Sequence, residues 1–264
     1  MKKILALSCC CVDMFPEKNI INAGGNALNL AASVARTGKS KPFLMGNIGT
    51  DLYAKKIKGK ADFYGIDSRR LYEVDGHSAN NKIYLTESGD RYFKKDSWTE
   101  GVYKGFRISD DDEMFMKSFD AVATTFNDPD FDRLLKISLE SNFLLSVDFM
   151  DHSLKDEWQN YLPAIDLFFI SGKEDYFHLL KKWSKEHNTL FVVTLAESGS
   201  IAYKNGREYF CEAVSVENVV DTTGCGDSYQ GAFIVDYLMN GDVLSSMKAG
   251  SESAAHTLSF AGAC

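Results

Sequence analysis

Short apolar runs alternate with amphipathic segments along most of this chain. The runs predict buried strands at residues 4–12, 43–46, 121–125, 143–149, 167–171 and 190–195. Apolar side chains recur at helical spacing at residues 25–36, 51–63 and 175–187. Alternation of strands and helices is typical of a parallel sheet that is covered by helices on both faces. The sequence therefore predicts an α/β fold with a central, mostly parallel sheet.

One stretch interrupts this rhythm with a pattern that is typical of a hairpin. Residues 81–86 and 91–95 flank the segment 87–90, which has the composition of a turn. Together with residues 15–22, this hairpin would form a small antiparallel sheet carried on the main domain. No internal repeat and no Pro- or Ser-rich linker divides the sequence. We therefore expect a single domain over residues 1–264.

The charge balance and the lengths of the apolar runs limit the partners. The 264 residues include 37 acidic and 29 basic side chains, which gives a formal net charge of −8. Nucleic-acid backbones attract basic surfaces, so no nucleic-acid partner is expected. The longest apolar run, 4–12, is shorter than the roughly 20 residues that cross a bilayer, so no membrane partner is expected either. Small anions stay possible ligands, because backbone N–H groups bind them without Lys or Arg.

The cysteines and the first residues favour a cytoplasmic location. The six cysteines include no C-x-x-C pair and no Cys/His cluster, which disfavours structural zinc. Free thiols at this density suit a reducing compartment. Lys2, Lys3 and the apolar run after them are similar to a short signal peptide, but the run ends at Asp13 without a small-residue cleavage site. We therefore expect a cytoplasmic protein.

The segment Asp221-Thr222-Thr223-Gly224-Cys225-Gly226-Asp227, which precedes a helix over 228–240, carries the clearest chemical signal. Two glycines around a small residue leave bare N–H groups at a helix N-terminus, where a phosphate can bind. An Asp beside a bound anion makes sense as a base that takes a proton from an attacking hydroxyl. The alternative is an ordinary capping Asp after a Gly-rich turn.

This segment resembles the C-terminal signature D-T-x-G-A-G-D of the ribokinase-like (PfkB) sugar kinases, with Cys225 in place of Ala. Other matches to the family follow in order: Asp13 at the end of the first strand, Gly24-Gly25-Asn26 with Asn29, Gly49-x-Asp51, and the nucleotide segment 194–199 with Ala196 where Gly is usual. The resemblance implies a ribokinase-like fold with a small antiparallel β-lid, at about residues 13–23 and 76–100. It also implies a kinase that uses ATP and Mg²⁺ to phosphorylate a primary hydroxyl of a sugar derivative, with a lid that excludes water.

The resemblance also assigns roles on the acceptor side of the site. Asp227 would be the general base, and the N–H groups of Gly224, Cys225 and Gly226 would form the anion hole. The residues that would hydrogen-bond the sugar are Asp13, Gly25, Asn26 and Asn29, with Arg91 on the lid as a further contact. Strand-end and helix-capping roles are the alternative for the first four. A solvated side chain is the alternative for Arg91.

On the nucleotide side, the resemblance assigns further residues. Those that would contact ATP are Thr194, Glu197, Gly199 and Ser251. Glu174 would position Mg²⁺ through water, although Ser171 stands where the family pattern N-x-x-E has Asn. A Glu favoured by the helix dipole is the alternative for Glu174. Asp221 and Thr223 match positions that hold a monovalent cation such as K⁺ in some members, so a K⁺ site there is a further expectation.

Within the family, four stretches resemble the members that phosphorylate fructosamines. These stretches are residues 24–29, 99–102, 108–112 and 250–263. The expected acceptor is therefore a fructosamine such as fructoselysine, phosphorylated on its 6-hydroxyl, with ribose, fructose or a nucleoside as alternatives. Acidic residues around the lid would meet the amines of such an acceptor, and Arg91 its carboxylate. These acidic residues are Glu87, Asp90, Asp96 and Glu100.

Two other classes of function are open to an α/β chain. A nicotinamide-dependent oxidoreductase needs G-x-G-x-x-G after its first strand, whereas Asp13-Met14-Phe15-Pro16 stands here. A non-catalytic sugar sensor would have no use for a base at Asp227. The partners expected are therefore a small sugar and ATP, and a homodimer formed through the lid is a further expectation.

Overall fold

A computed structural model describes residues 1–85, 91–92, 94–260, 262 and 264, and the side chains of Leu85 and Arg91 lie outside this description. The strands are β1 Lys2–Leu7, β2 Cys11–Phe15, β3 Ile20–Gly24, β4 Ser40–Ile48, β5 Asp67–Glu73, β6 Ala79–Lys82, β7 Tyr84–Leu85, β8 Arg91–Tyr92, β9 Trp98–Thr99, β10 Ala121–Thr125, β11 Leu144–Asp148, β12 Leu167–Ser171, β13 Leu190–Thr194, β14 Ser200–Lys204 and β15 Arg207–Cys211. The α-helices are α1 Asn26–Thr37, α2 Leu52–Phe63, α3 Asp110–Met116, α4 Phe131–Leu139, α5 Phe177–Glu186, α6 Cys225–Asn240 and α7 Val243–Leu258. Short 3₁₀ helices lie at Pro16–Lys18, Gly101–Gly105, Asp156–Ala164, Glu174–Tyr176 and Ala196–Ser198.

The large sheet has nine strands in the order β15-β14-β13-β12-β11-β10-β1-β4-β5. Every neighbouring pair from β13 to β5 is parallel, and β14 and β15 extend one edge with antiparallel pairs. The predicted α/β fold with a mostly parallel sheet is confirmed. The carboxyl ends of parallel strands meet at one edge of a sheet, and ligands bind outside that edge. The residues that follow β1, β10, β11, β12 and β13 are therefore brought together.

Two apolar cores cover the two faces of this sheet. Ile4 and Ala6 of β1 pack with residues of α1, α2, α6 and α7 on one face. Leu5 and Leu7 pack with residues of α3, α4 and α5 on the other. This alternation follows from the two-residue period of a strand. Burial of each of the larger side chains, Ile4, Leu5 and Leu7, contributes about 1.5–3 kcal/mol through removal of apolar surface from water.

The prediction of one strand over residues 4–12 is wrong. The apolar run forms two strands in two different sheets: β1 lies in the large sheet, and β2 starts at Cys11 in a smaller one. The peptide group of Cys9 lies between them and accepts a hydrogen bond from the N–H of Ala27 at 3.2 Å. The connection is itself buried, so its sequence is as apolar as the strands. Asp13 consequently lies within β2 and not at the end of the first strand.

The small sheet has the strand order β3-β2-β6-β9. Its β2–β3 and β6–β9 pairs are antiparallel, and β2 and β6 pair in parallel because the chain returns to the small sheet from β5 of the large one. The predicted hairpin over 81–95 contributes the antiparallel pair β7–β8. Its expected turn, 87–90, with Glu87 and Asp90, lies outside the described residues.

The predicted helices are present with small shifts of their ends. Asp51 caps α2, and its carboxylate also accepts hydrogen bonds from Ser78, which precedes β6. The Gly49-x-Asp51 motif therefore ties the small sheet to the large one. Asn205 and Gly206 join β14 to β15 with φ values of 51° and 75°, the positive values that a type I′ turn requires. Of the helices in the described part of the chain, none combines the length and the apolar character needed to cross a bilayer.

Candidate active site

The Gly-rich turn before α6 presents the first backbone amides of this helix. Gly224 caps the helix with φ 74° and ψ 5°, a left-handed conformation that favours glycine. The N–H of Ser228 donates to the Gly224 carbonyl at 2.8 Å, so the helical ladder starts there. A helix leaves its first amides without an intrahelical acceptor. A Cβ at Gly226 would meet no atom within 4 Å, so this part of the turn borders open space. The N–H of Cys225 donates to the Thr222 carbonyl at 3.5 Å. The anion-hole role of the Gly224, Cys225 and Gly226 amides stays a prediction.

Asp227, on the first turn of α6, is 8% exposed and is held by two amides from α1. Asn26 Nδ2 donates to Asp227 Oδ1 at 2.9 Å, and Asn29 Nδ2 donates to Asp227 Oδ2 at 2.8 Å. Burial raises the pKa of Asp227 to about 6, while the two hydrogen bonds act in the opposite direction. The carboxylate is therefore fixed in position, and its pKa lies close to neutral pH, where a general base works best.

The other end of the Asn29 amide is a buried acceptor without a partner. Asn29 Oδ1 is enclosed, and no hydrogen bond reaches it from the described part of the protein. A Cβ at Gly24 would lie 3.2 Å from Asp13 Oδ2 and 3.4 Å from Asn29 Oδ1, so the Asp13 and Asn29 side chains approach each other over this glycine. An unsatisfied buried acceptor costs about 1–3 kcal/mol. Both residues were predicted from the sequence, and the structure brings Asn29 to Asp227 and Asp13 to the neighbourhood of Asn29.

Gly25 holds this arrangement through its backbone. It precedes α1 with φ 92°, and a Cβ there would lie 2.5 Å from the Cys9 carbonyl oxygen and 2.8 Å from the Cys11 nitrogen. Any side chain would push α1 away from the connection between β1 and β2. The predicted sugar contact at Gly25 stays a prediction, and the structure gives this residue a packing role as well.

A row of side chains crosses the small sheet beside Asp13. Asp13 lies opposite Asn22 on β3 and opposite Asn81 on β6, and Asn81 lies opposite Trp98 on β9. Residues that lie opposite each other in neighbouring strands share a face of the sheet. This is also the face of Gly24, which approaches Asn29. The predicted contact Arg91 is on β8, and its side chain lies outside the described residues.

Asp148 is a second buried carboxylate near Asp227, and it was not predicted from the sequence. It is the last residue of β11, and its Oδ1 accepts a hydrogen bond from the N–H of Met150 at 2.7 Å. Burial, together with the negative charge of Asp227, raises the pKa of Asp148 to about 7. An acidic residue at the carboxyl end of a strand in a parallel sheet is a signal that the sequence offers. It was overlooked because no family motif was assigned to this segment.

The predicted nucleotide residues fall into two environments. Thr194 ends β13, with Gly199 and exposed Glu197 in the turn that follows it. Ala196, where the family pattern has Gly, has φ 51° and so adopts the conformation that glycine favours. Ser251 instead lies buried on α7, where its Oγ is 3.8 Å from Cys211 Sγ. The contacts of these residues with ATP stay predictions.

The residues predicted to hold cations are also separated. Glu174 is exposed at the start of a 3₁₀ helix that follows β12. Asp221 Oδ1 accepts hydrogen bonds from the N–H and the Oγ1 of Thr223, at 2.9 and 2.7 Å, and Asp221 Oδ2 accepts one from Gly262 N–H at 3.1 Å. Within the described residues, no three His, Cys, Asp or Glu side chains converge as a metal site. The Mg²⁺ and K⁺ roles of these residues stay predictions.

Comparison with known proteins gives consistent matches over the whole chain. The family model described as pfkB family carbohydrate kinase matches residues 20–264. Fructoselysine 6-kinase from Shigella flexneri is 29% identical over 267 residues, with 100% of both chains covered. Fructosamine kinase FrlD from Bacillus subtilis is 24% identical, with 99% of this chain and 92% of the relative covered. The structure of Arabidopsis thaliana ribokinase complexed with ribose and ATP superposes with a TM-score of 0.83 at 19% identity, over 99% of this chain and 95% of that one.

Proposed function

The chain belongs to the PfkB family of carbohydrate kinases, and we propose that it transfers the γ-phosphoryl group of ATP to the 6-hydroxyl of a fructosamine such as fructoselysine. The names of two relatives support this choice of acceptor, because one is a fructoselysine 6-kinase and another a fructosamine kinase. Both relatives match nearly the full length of this chain. The acceptor is therefore assigned by similarity, and the chemistry of transfer is argued from the residues of this chain.

The proposal depends on one observation: a carboxylate that can act as a base and an unsatisfied hydrogen-bond acceptor lie side by side in a buried site. The Asp227 carboxylate would take the proton of the attacking hydroxyl. Asn29 holds that carboxylate with its Nδ2 and leaves its Oδ1 without a donor. A polyol supplies such donors, because each of its hydroxyls both donates and accepts a hydrogen bond. The Asp13 carboxylate, which approaches Asn29 over Gly24, would accept further hydrogen bonds from the sugar hydroxyls.

The first turn of α6 would stabilise the phosphoryl group during transfer. The amides of Gly224, Cys225 and Gly226 are fixed by the backbone before any substrate binds, so they need no rearrangement when negative charge develops. The open space beside Gly226 is where the phosphoryl group would lie. Asp227 follows directly on the same turn. A hydroxyl held by Asp227 would therefore lie next to the phosphoryl group.

ATP would bind along the carboxyl edge of the large sheet, at Thr194, Glu197 and Gly199, with Ser251 on α7 as a further contact. Mg²⁺ would supply positive charge to the phosphates when it is bound. The donors at this edge fit that ion, because Mg²⁺ is held by one or two carboxylates and by substrate phosphates, and the exposed Glu174 carboxylate would hold it through water. A K⁺ ion at Asp221 and Thr223 is a further prediction.

The small sheet would serve as the lid, with the segments 13–23 and 76–100 as its main parts, on a single kinase domain. Its row of polar residues around Asp13 would cover the acceptor and keep water away from the phosphoryl group. A cytoplasmic location goes with this proposal, because ATP is the phosphoryl donor. A homodimer formed through this sheet also stays a prediction.

A panel of acceptors tests the proposal. The full-length protein is assayed for ADP release and product mass with ATP, Mg²⁺ and each of fructoselysine, free fructose, ribose and adenosine. We expect fructoselysine to give the highest kcat/KM and a product that carries one phosphate on O6, located by NMR. A higher kcat/KM with ribose, fructose or adenosine would contradict the acceptor and leave the kinase. Binding of sugar and ATP without ADP release would contradict the kinase itself.

A further inference from the structure

The small sheet carries an open cavity of about 430 Å³ next to the row that contains Asp13. It is lined by Asn81, Lys94, Asp96, Ser97 and Trp98. Asn81 and Trp98 are the members of that row on β6 and β9, so the cavity lies on the face of the sheet that looks toward the base. Its volume falls within the usual range for small-molecule sites. The proposed transfer chemistry uses none of these five residues.

Ser97 gives this cavity a fixed wall. The residue is 5% exposed, and its Oγ is enclosed, with no hydrogen-bond partner in the described part of the protein. Its backbone is fixed, since its N–H donates to the Lys94 carbonyl at 3.1 Å and its carbonyl accepts from the Lys82 N–H at 2.8 Å. The turn that carries Lys94 and Asp96 is therefore held against β6 before a ligand binds.

The cavity also carries one charge of each sign. Lys94 and Asp96 lie two residues apart in a tight turn closed by the Ser97–Lys94 hydrogen bond. The ammonium of Lys94 lies 3.7 Å from the centroid of the Tyr84 ring, which orients it. Neither Lys94 nor Asp96 takes part in the ion pairs found in the described residues. Asp96 has φ 66°, where glycine would be unstrained, so the turn carries a carboxylate at a conformational cost.

The cavity lies where the end of a long acceptor would reach, on the side away from the hydroxyl that is phosphorylated. Neighbouring strands are about 4.8 Å apart, so Trp98 on β9 lies about 10 Å across the sheet from Asp13 on β2. With the 6-hydroxyl at Asp227, an open-chain hexulose and its amine would extend along this row. The group attached to the amine would then reach Trp98, whose side chain is 45% exposed and offers an apolar surface to a methylene chain.

We propose that this cavity binds the zwitterionic amino-acid head of the acceptor, an inference that rests on the proposed function. Lys94 pairs with the carboxylate of the head, and Asp96 pairs with its α-ammonium. Trp98 packs against the methylene chain. The cavity therefore selects fructosamines that are made from a free amino acid over fructosamine itself. These residues act on binding of the acceptor and take no part in proton transfer.

Acceptors that lack one charge at a time test this subsite in the full-length protein. The four acceptors are fructoselysine, the fructosyl adduct of 6-aminohexanoate (no α-ammonium), the adduct of cadaverine (no carboxylate) and 1-amino-1-deoxyfructose (no head). We expect Lys94→Met to raise KM about three- to fivefold for the two acceptors with a carboxylate and to leave the other two unchanged. Asp96→Asn raises KM for fructoselysine and the cadaverine adduct only. Lys95→Met, the same charge change on an adjacent exposed residue outside the cavity, is the control and leaves all four within twofold.

The outcomes separate the subsite from the proposed function. If Lys94→Met changes KM equally for all four acceptors, or behaves as Lys95→Met does, the subsite is wrong while fructosamine phosphorylation stands. If the wild-type protein phosphorylates none of the four but does phosphorylate another sugar, the acceptor assignment fails and the subsite fails with it. Thermal unfolding of each variant is measured in parallel, and a KM change that appears only in a destabilised variant also counts against the subsite.

Discussion

The two walls of the acceptor site are built in opposite ways. On the α1–α6 wall, Asp227 is buried and held by two asparagines at 2.8 and 2.9 Å. On the small-sheet wall, Trp98 is half exposed, and Ser97 Oγ has no hydrogen-bond partner among the described residues. The first wall fixes its carboxylate before a ligand binds, whereas the second presents an exposed aromatic ring and two exposed charged side chains, Lys94 and Asp96. Each wall also holds one enclosed polar atom, Asn29 Oδ1 or Ser97 Oγ, that has no hydrogen-bond partner among the described residues. Preorganisation suits the reacting groups, because it removes the cost of rearrangement during transfer. Exposed side chains suit recognition of the part of the acceptor that varies, which is the group attached to its amine.

The largest expected effect comes from Gly25→Ala, which breaks the preorganised wall. The new Cβ would lie 2.5 Å from the Cys9 carbonyl oxygen in a backbone with φ 92°. We expect the free energy of unfolding to fall by about 3 kcal/mol or more, and turnover to fall with it because Asn26 and Asn29 move with α1. Thermal denaturation and initial rates measure the two effects.

Gly226→Ala is the matched control for Gly25→Ala. Its Cβ meets no atom within 4 Å, so stability should stay the same or rise by about 0.5–1 kcal/mol. Turnover should still fall, because the methyl group enters the space proposed for the phosphoryl group. Equal losses of stability in the two variants would contradict the assignment of Gly25 to packing and of Gly226 to the site.

Asn29→Ala is expected to have the next largest effect on activity, and the protein should stay folded. The change removes the 2.8 Å hydrogen bond to Asp227 and the unsatisfied Oδ1. A hydrogen bond to a charged group is worth about 1.5–3 kcal/mol, so kcat/KM for the acceptor should fall about ten- to a hundredfold. This hydrogen bond also lowers the pKa of Asp227, so its loss should move the acid limb of the pH–rate profile to higher pH. A purely structural role for Asn29 would leave that limb in place.

The pH dependence of the wild-type protein gives a smaller, graded effect. The base acts when it is deprotonated, and burial raises the pKa of Asp227 to about 6. We expect kcat/KM to be steady at higher pH and to fall about tenfold for each pH unit below about 6. The negative charge of Asp227 raises the pKa of Asp148, so the two carboxylates titrate as a coupled pair. The acid limb of the pH–rate profile therefore reports the pair and not Asp227 alone. An acid limb near pH 4, the value of an exposed carboxylate, would be evidence against a buried base.

Cys225→Ala is expected to have the smallest effect. Cys225 contributes its backbone N–H to the proposed anion hole, and alanine keeps that N–H at the start of α6. Alanine is also the residue that the family signature has at this position. We expect kcat and KM to stay within about twofold, since surface-type changes that keep the backbone cost little. A large loss of activity would show that the thiol takes part.

The sequence predicted the preorganised wall better than the open one. Asp227, Asn26 and Asn29 lie in short motifs whose residue types follow from the chemistry, and the structure brings all three together. Asp148 was missed although the sequence places it at the carboxyl end of a predicted strand, because no family motif covers that segment. The unpartnered Ser97 could not be foreseen, since burial of a hydroxyl without a partner depends on packing between distant segments.

The fold shows the same limit. The parallel sheet was predicted, because buried strands and amphipathic helices have different periods. The run 4–12 was misread as one strand, because a buried crossing between two sheets is as apolar as a strand. The pattern of apolar residues indicates which segments are buried, but it does not indicate which sheet a buried strand joins. Asp13 was therefore identified as a candidate residue but placed on the wrong element.

The activity of Asp227→Asn tests the central claim most directly. The variant keeps the shape of the side chain and removes only its ability to take a proton. We expect calorimetry to show that it binds ATP and acceptor as the wild type does, while single-turnover transfer falls about 10²–10⁴-fold. A folded Asp227→Asn protein that transfers phosphate at a near-normal rate would contradict the claim that the α1–α6 wall carries the base.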